Sequence, residues 1–477
     1  MAARRLQVVG AVLAAGLVAL AGCGAIPNGG ASAEQSGSAP SSSQRTPTSG
    51  ATLPPPETAT PRSSLDPVLA PVTVATNSDP AAVAKRLGKI GGVDGAGISA
   101  AVMSADTGRL LYSSGGRTSL IPASTTKVLT ASAALELLGP QHRFRTSVVY
   151  AGSVSDKSTA RIDLVGGGDP YLTETKAEAT IPGQASLQAL AGSTARRVRA
   201  RHLTSVSLGY DATLFRGPSW NPTWPASYST VVTPTSALWA NEGRLYGSEG
   251  PRQVEPAESA ADEFAALLRR DGIRVTMITP AKAPAKVDEV AGVDSMPLSK
   301  IIEKLLMESD DDAAEVIARQ VAIADGKSGT IANAVNSIEK VITVLGAWAP
   351  GTRIYDGSGL SRDGRIPADT LVKVLRLGID DDQPSLAPVF TGLPVAGVEG
   401  TLEYRLDESG ATVGRGIVRA KTGTLTGVHS LAGYVYTRDG ELLIFAFVVN
   451  HPESDYDAIV WLDRVTAAVA SCGCKSP

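Results

Sequence analysis

The segment Ser-Thr-Thr-Lys at residues 124–127 places a hydroxyl nucleophile three residues before an amine. Residues 128–138 have the composition and spacing of a helix, and Gly139-Pro140 predicts its end. Residues three apart share a helix face, so the amine of Lys127 can reach the hydroxyl of Ser124. The free N–H groups and positive dipole of a helix N-terminus also favour negative charge there. This arrangement suits acyl transfer through a serine ester.

The Ser-x-x-Lys spacing is weak evidence by itself, because serine and lysine are common residues. Residues 337–340 (Ser-Ile-Glu-Lys) have the same spacing. Taken alone, Ser124 is equally well explained as the N-cap of a helix beside an exposed lysine.

Two more motifs follow in the chain, Ser309-Asp310-Asp311 and Lys421-Thr422-Gly423. The first lies between predicted helices at residues 298–307 and 312–323, and the second lies in a predicted strand at residues 416–424. Two decoys fit the same patterns, namely Lys-Ser-Gly-Thr at residues 327–330 and Ser-Trp-Asn at residues 219–221. The first decoy is predicted to be a loop between helices, and the second lacks the helical context.

In this order the three motifs resemble the signature set of penicillin-binding proteins and serine β-lactamases, S-x-x-K, S-x-N and K-T-G. Other segments make the chain similar to the D-alanyl-D-alanine carboxypeptidase and endopeptidase class, the class C low-molecular-mass penicillin-binding proteins. They are Gly-Gly-Gly-Asp-Pro at residues 166–170, Asp-Gly-Ser-Gly-Leu-Ser-Arg at residues 356–362, and Gly-Thr-Leu at residues 400–402 with Arg405. The similarity covers residues 79–470.

The resemblance implies a role for each motif residue. The catalytic residues would be Ser124, Lys127, Ser309 and Lys421, and the substrate-binding residues would be Asp311, Thr422, Gly423 and Thr424. Ser124 would be acylated with Lys127 as its base, while Ser309 would pass a proton to the leaving amine. Lys421 would add positive potential, and the hydroxyls of Thr422 and Thr424 would bind the substrate's terminal carboxylate. The backbone N–H groups of Ser124 and Thr424 would form the oxyanion hole.

Asp311 departs from the family pattern, which usually has asparagine at this position. An amide can donate a hydrogen bond to a substrate carbonyl, whereas a carboxylate can only accept one. A carboxylate near Lys127 would also favour the protonated amine. We therefore expect acylation to survive and turnover or substrate preference to change.

The resemblance also implies an α+β fold. A penicillin-binding transpeptidase/β-lactamase-like domain, with an antiparallel sheet flanked by helices, would comprise residues 76–145 and 294–477, and residues 146–293 would form an inserted β-rich domain. The implied activity is serine-type D-Ala-D-Ala carboxypeptidase or endopeptidase action on peptidoglycan stem peptides, with β-lactams as covalent inhibitors and no cofactor. The alternatives are a catalytically silent wall-binding or β-lactam-sensing lipoprotein and, less favoured, a β-lactamase or an esterase.

The N-terminus predicts export. Arg4 and Arg5 precede an apolar run at residues 8–20, and Leu-Ala-Gly-Cys at residues 20–23 resembles a bacterial lipobox with Cys23 as the lipidated residue. An ordinary signal peptide cleaved nearby is the alternative. Residues 24–75 are rich in Ser, Pro and Thr, which predicts a disordered tether. The protein is therefore expected outside the cytoplasm, anchored to the outer face of the cytoplasmic membrane by lipid or secreted.

Charge and cysteine content limit the other possibilities. The chain has 44 Lys and Arg against 47 Asp and Glu, a net charge of −3 without a basic stripe, which argues against nucleic acid as a partner. The four histidines show no metal-binding spacing, and no metal site is expected. Cys472 and Cys474 could form a strained disulfide or remain free, and the sequence leaves both open.

Overall fold

The computed structural model of the protein describes residues 78–153, 159–245 and 251–474. The predicted signal peptide, the lipidation site Cys23 and the tether lie outside these ranges. No helix within the described ranges is both long and apolar enough to span a bilayer.

The strands and helices of the described residues are numbered in chain order. The strands are β1 (Gly97–Ser104), β2 (Leu110–Ser114), β3 (Arg145–Ser153), β4 (Thr159–Val165), β5 (Ser205–Asp211), β6 (Arg274–Pro280), β7 (Glu289–Asp294), β8 (Arg419–Leu425), β9 (Val428–Tyr436) and β10 (Leu442–Asn450). The α-helices are α1 (Pro80–Gly88), α2 (Lys127–Leu138), α3 (Leu187–Ala200), α4 (Pro256–Arg270), α5 (Leu298–Glu308), α6 (Asp311–Ala324), α7 (Ile331–Val344), α8 (Ala368–Leu377), α9 (Ala387–Thr391) and α10 (Asp455–Ala470).

One sheet has five strands in the order β2-β1-β10-β9-β8, and all its neighbours are antiparallel. Strand β10 is apolar on both faces because helices cover both. Ile444 and Val448 belong to the core that contains α2 and α8, whereas Phe447 packs edge-on against Trp461 of α10. This sheet between two helical layers agrees with the α+β fold expected from the sequence.

The second sheet has the order β6-β5-β4-β3-β7. Strands β4, β5 and β6 are parallel, and β3 is antiparallel to both of its neighbours. Leu190 and Ala191 of α3 and Phe264 of α4 share a buried core with these strands. The sheet extends from Arg145 to Asp294. The predicted boundaries of an inserted domain, residues 146–293, stay a prediction.

The helix predicted at residues 128–138 is confirmed as α2, and the helix predicted at residues 298–307 is confirmed as α5. The strand predicted from residue 416 begins only at Arg419. Gly416 has a φ of 76°, a left-handed conformation that ends the preceding turn rather than beginning a strand. Shortly after α10, Cys472 and Cys474 are joined in a disulfide.

An ion pair fixes the loop before β8 to helix α10. The Arg405 guanidinium donates to the Asp463 carboxylate from Nε at 3.1 Å and from Nη2 at 2.6 Å. Asp463 also accepts from the backbone N–H of Leu406 at 3.0 Å, and its side chain is 3% exposed. The Asp463 carboxylate therefore joins the loop to α10, which packs on one face of the first sheet.

Replacing Asp463 with alanine should strongly destabilise the protein, because the Arg405 guanidinium loses its buried partner. We expect a loss of about 3–5 kcal/mol in the free energy of unfolding. Urea denaturation measures this loss, with the exposed Asp457→Ala on the same helix as control. The double variant Asp463→Ala/Arg405→Ala should lose less than the sum of the single changes. Additive losses would contradict the coupling.

Candidate active site

Ser124 lies in a 3-10 turn, Ala123–Thr126, directly before α2 rather than in its first turn. Ala123 has a φ of 49°, a conformation that is costly for a residue with a Cβ. The Thr125 hydroxyl donates to the Pro122 carbonyl at 2.7 Å, and the Thr126 hydroxyl donates to the Ala123 carbonyl at 2.9 Å. These bonds hold the turn so that Ser124 is partly exposed between buried neighbours.

The Lys127 amine joins three segments of the chain. Its Nζ donates to Ser124 Oγ at 2.9 Å, to Asp311 Oδ1 at 2.5 Å and to the Ser358 carbonyl at 2.9 Å. An ammonium group has three donors, so this arrangement uses all of them. The Lys127 side chain has no exposed surface, and the Ser124 hydroxyl faces it instead of capping the helix. The N-cap alternative for Ser124 is therefore wrong.

The second motif brings Asp311 into contact with Lys127, and the role of Ser309 stays a prediction. Ser309 ends α5 with a φ of 60°, and its hydroxyl forms no hydrogen bond with any residue in the described ranges. Asp310 caps α6, where its carboxylate accepts from the Ala313 N–H at 3.0 Å. This cap orients the first turn of α6, from which Asp311 reaches Lys127. The Asp311 side chain is 18% exposed, so the ion pair is accessible to solvent from the side of Asp311.

Two buried carboxylates hold the loop that contains Ser358. Glu315 accepts from the N–H groups of Gly357 and Ser358 at 2.9 and 2.8 Å. Burial raises the pKa of Glu315 to about 8, and the nearby Asp356 carboxylate adds to this rise. Asp356 accepts from the N–H of Gly359 at 2.8 Å. The loop can therefore point the Ser358 carbonyl at Lys127.

Neighbouring segments fix this loop further. Trp224 Nε1 donates to Asp356 at 2.8 Å, and the Asn221 amide donates to the Tyr355 carbonyl at 2.8 Å. Asn221 is thus a structural residue, and the decoy motif at residues 219–221 does not supply a second Ser-x-Asn site. Gly359 has a φ of 88°, and a Cβ there would lie 2.0 Å from the Ala123 carbonyl oxygen. Only glycine allows this approach to the Ser124 turn.

The third motif packs against the same turn from β8. A Cβ on Gly423 would lie 2.1 Å from Ser430 Oγ and 2.7 Å from the Pro122 carbonyl oxygen. Lys421 is fully buried, and its Nζ donates to the Thr422 carbonyl at 2.8 Å. Burial lowers the pKa of Lys421 well below its usual value, and the positive charge of Lys127 lowers it further. A bound anion would oppose this lowering of the pKa.

The two threonines of β8 differ in their surroundings. The Thr422 hydroxyl donates to the hydroxyl of Thr401 at 2.9 Å. Thr424 is exposed on the same strand, which is at the edge of its sheet. An edge strand leaves backbone groups free to bind an extended peptide. The arrangement as a whole offers a serine, an amine and an open strand edge, as a peptide acyl transfer requires.

The remaining sequence candidates lie elsewhere. Residues 327–330 are in the connection between α6 and α7, as expected. Ser337 and Lys340 both contact Asp325, at 3.0 and 2.5 Å, so this second Ser-x-x-Lys serves a salt-bridge network.

Among the described residues, one group of carboxylates lies close enough together to hold a metal ion. It consists of Glu242, Asp310 and Asp312. Arg244 lies 2.6 Å from Glu242, and Arg252 lies 3.0 Å from Asp312. These guanidinium groups already compensate the acidic charge. The cluster therefore resembles a buried ion-pair network, and one of its members, Asp310, directly precedes Asp311.

Sequence reasoning missed the roles of Glu315 and Ser358. Glu315 follows Asp311 by four residues on α6, a spacing that puts both carboxylates on one helix face. That spacing could have indicated a second site residue. Ser358 contacts Lys127 through its backbone carbonyl. Every residue type has this group, so the sequence gives no indication of the role.

The sequence matches the profile of the D-Ala-D-Ala carboxypeptidase 3 (S13) family over residues 80–253 and 247–469. A carboxypeptidase of Mycobacterium tuberculosis is 34% identical over 378 residues, which cover 78% of this chain and 79% of that protein. A D-alanyl-D-alanine carboxypeptidase of Actinomadura sp. is 28% identical over 454 residues, covering 79% and 82%. The crystal structure of penicillin binding protein 4 from Haemophilus influenzae has a similar fold, with a TM-score of 0.66, 19% identity and coverage of 81% and 97%.

Replacing Glu315 with glutamine tests the buried carboxyl group. Glutamine keeps the accepting oxygen for the loop but cannot ionise. A carboxyl whose folded pKa rises from 4.5 to about 8 destabilises the fold as the pH increases through this interval. Relative to Glu315→Gln, the wild type should lose at least about 1 kcal/mol of unfolding free energy between these pH values. Denaturation across pH measures this, with the exposed Glu339→Gln as control, and parallel curves would contradict it.

Proposed function

The chain belongs to the D-Ala-D-Ala carboxypeptidase 3 (S13) family and is a serine-type carboxypeptidase, and we propose that it acts on peptidoglycan stem peptides through an acyl-enzyme on Ser124. The observation that carries this proposal is the contact of 2.9 Å between Lys127 Nζ and Ser124 Oγ in a turn held against β8. A serine hydroxyl needs such a base because it is a weak nucleophile.

Acylation begins when the Ser124 oxygen attacks the carbonyl carbon of the scissile peptide bond, and its proton moves to Lys127. The N–H groups of Ser124 and Thr424 stabilise the oxyanion, and each donor contributes about 10²–10³ in rate. The C–N bond then breaks, and the leaving amine takes up a proton. Water hydrolyses the resulting ester and restores Ser124.

Ser309 and Lys421 complete the proposed catalytic set. Ser309 passes the proton to the leaving amine through its hydroxyl group, which can both accept and donate a hydrogen bond. Lys421 provides positive potential once the substrate carboxylate is present, since an anion offsets the burial of its amine. The hydroxyls of Thr422 and Thr424 bind that carboxylate, and Gly423 lets β8 pack closely against the Ser124 turn.

Asp311 is the position at which this chain departs from the family pattern, and its carboxylate lies 2.5 Å from Lys127 Nζ. A carboxylate can only accept hydrogen bonds, whereas the usual asparagine can also donate one to a substrate carbonyl. We propose that acylation survives and that Asp311 changes turnover or substrate preference.

Because the family acts on peptidoglycan, the enzyme works in the cell envelope. We propose that Cys23 carries lipid and anchors the protein to the outer face of the cytoplasmic membrane. This proposal is supported by the Leu-Ala-Gly-Cys sequence at residues 20–23 and the Ser/Pro/Thr-rich segment after it.

A fluorescent penicillin should label the full-length protein covalently at Ser124, because a β-lactam acylates the residue that peptides acylate. Ser124→Ala should lose the label entirely, while Ser337→Ala, which alters the other Ser-x-x-Lys, should keep it. Gel fluorescence and intact-mass spectrometry measure the adduct over time. An adduct that decays within seconds would favour a β-lactamase, and no adduct on folded protein would favour a silent wall-binding protein.

Asp311→Asn should leave acylation of Ser124 by penicillin intact and change the turnover of a D-Ala-D-Ala peptide and its dependence on pH, because the change removes the carboxylate beside Lys127 and adds an amide that can donate to the substrate. Stopped-flow labelling and a turnover assay, both across pH, measure these effects. Asp363→Asn, an exposed aspartate in the loop after residue 361, is the matched control. If Asp311→Asn leaves both the pH profile and the turnover of a D-Ala-D-Ala peptide unchanged, the proposed role of Asp311 is wrong.

A further inference from the structure

We propose that Thr401 is a positioning residue that orients the Thr422 hydroxyl toward the substrate's terminal carboxylate, and so contributes to the preference for substrates with a free carboxylate. This inference rests on the proposed function. It starts from the contact between Thr401 Oγ1 and Thr422 Oγ1, which are 2.9 Å apart although the residues are 21 positions apart in the chain.

The loop that carries Thr401 packs against the C-terminal turn of α5. Gly400 has a φ of 57°, and a Cβ there would lie 2.5 Å from the Met307 carbonyl oxygen. Only glycine can bring the loop this close to the C-terminal turn of α5, which leads into the second motif. The Gly397 N–H donates to the Leu402 carbonyl at 2.8 Å and closes the loop around Thr401.

The far side of the same loop is fixed by Arg405, whose guanidinium is held by Asp463 of α10 at 2.6 Å. Thr401 is half-buried, and Thr422 is 8% exposed. The Thr401 hydroxyl is thus presented to β8 by a loop that is anchored on both sides. A hydroxyl on such a loop constrains the rotation of its partner.

A hydroxyl group can donate one hydrogen bond and accept two, and either partner of a hydroxyl pair can be the donor. Without substrate, Thr422 donates to Thr401. When a carboxylate binds, Thr422 donates to it and accepts from Thr401 instead. Hydrogen bonds in such a chain polarise one another, so Thr401 strengthens the bond to the carboxylate. Valine at position 401 would keep the shape but leave Thr422 without this support.

Benzylpenicillin and its methyl ester test the inference, because they differ only in the carboxylate. The second-order rate of Ser124 acylation is measured for both probes with the full-length protein. Thr401→Val should slow acylation by benzylpenicillin about 5- to 10-fold, the equivalent of one hydrogen bond, and should barely change the rate with the ester. Thr401→Ser, which keeps the hydroxyl, should restore most of the rate.

Thr391→Val is the matched control, because it removes a side-chain hydrogen bond of the same length, from Thr391 to Glu303 at 2.9 Å on the surface. It should leave both rates unchanged. Equal loss of rate for both probes in Thr401→Val, or failure of Thr401→Ser to restore it, would assign Thr401 a purely structural role and overturn the inference alone. No acylation of the wild type by either probe would overturn the proposed function, and the inference with it.

Discussion

Removing the ammonium group of Lys127 from water costs several kcal/mol unless charged and polar partners replace its hydration. The partners come from three distant places, which are the Ser124 turn, the start of α6 and the loop around Ser358. Each must be placed to within a few tenths of an ångström for its hydrogen bond to form. The packing of these three segments therefore depends on the hydrogen bonds that the buried amine of Lys127 needs.

Much of the surrounding structure serves to bring backbone close to the Ser124 turn. Gly359 and Gly423 come from different elements, yet each would clash with this turn if it carried a Cβ. Asn450, at the end of β10, accepts from the Ile121 N–H at 2.7 Å and donates to its carbonyl at 3.0 Å. Ser124, the proposed nucleophile, is thus held by the sheet and by the loop, while the strained Ala123 is maintained by the packing around it.

Buried carboxyl groups hold several loops of the structure in place. Glu315 and Asp356 bind backbone N–H groups of one loop, and Asp463 binds another loop through Arg405 and Leu406. A loop held by buried side-chain oxygens can be irregular in shape and still rigid, because breaking such a hydrogen bond leaves a buried N–H group without a partner. Beside these loops lies the ion pair between the fully buried Lys127 and the partly exposed Asp311. The asparagine that is usual in the family would not provide this ion pair.

The sequence by itself determined the contact between Ser124 and Lys127, because the two residues are three positions apart and the contact is local. The order of the three motifs also indicated the family and, through it, the α+β fold. Contacts between distant segments were decided only by the tertiary structure. Asp311 rather than Ser309 reaches Lys127, since the left-handed Ser309 ends one helix and the capped Asp310 begins the next. The Ser358 carbonyl and the Thr401 hydroxyl reach the site because loops fold back on it, and nothing in residue type or spacing encodes the direction of a loop.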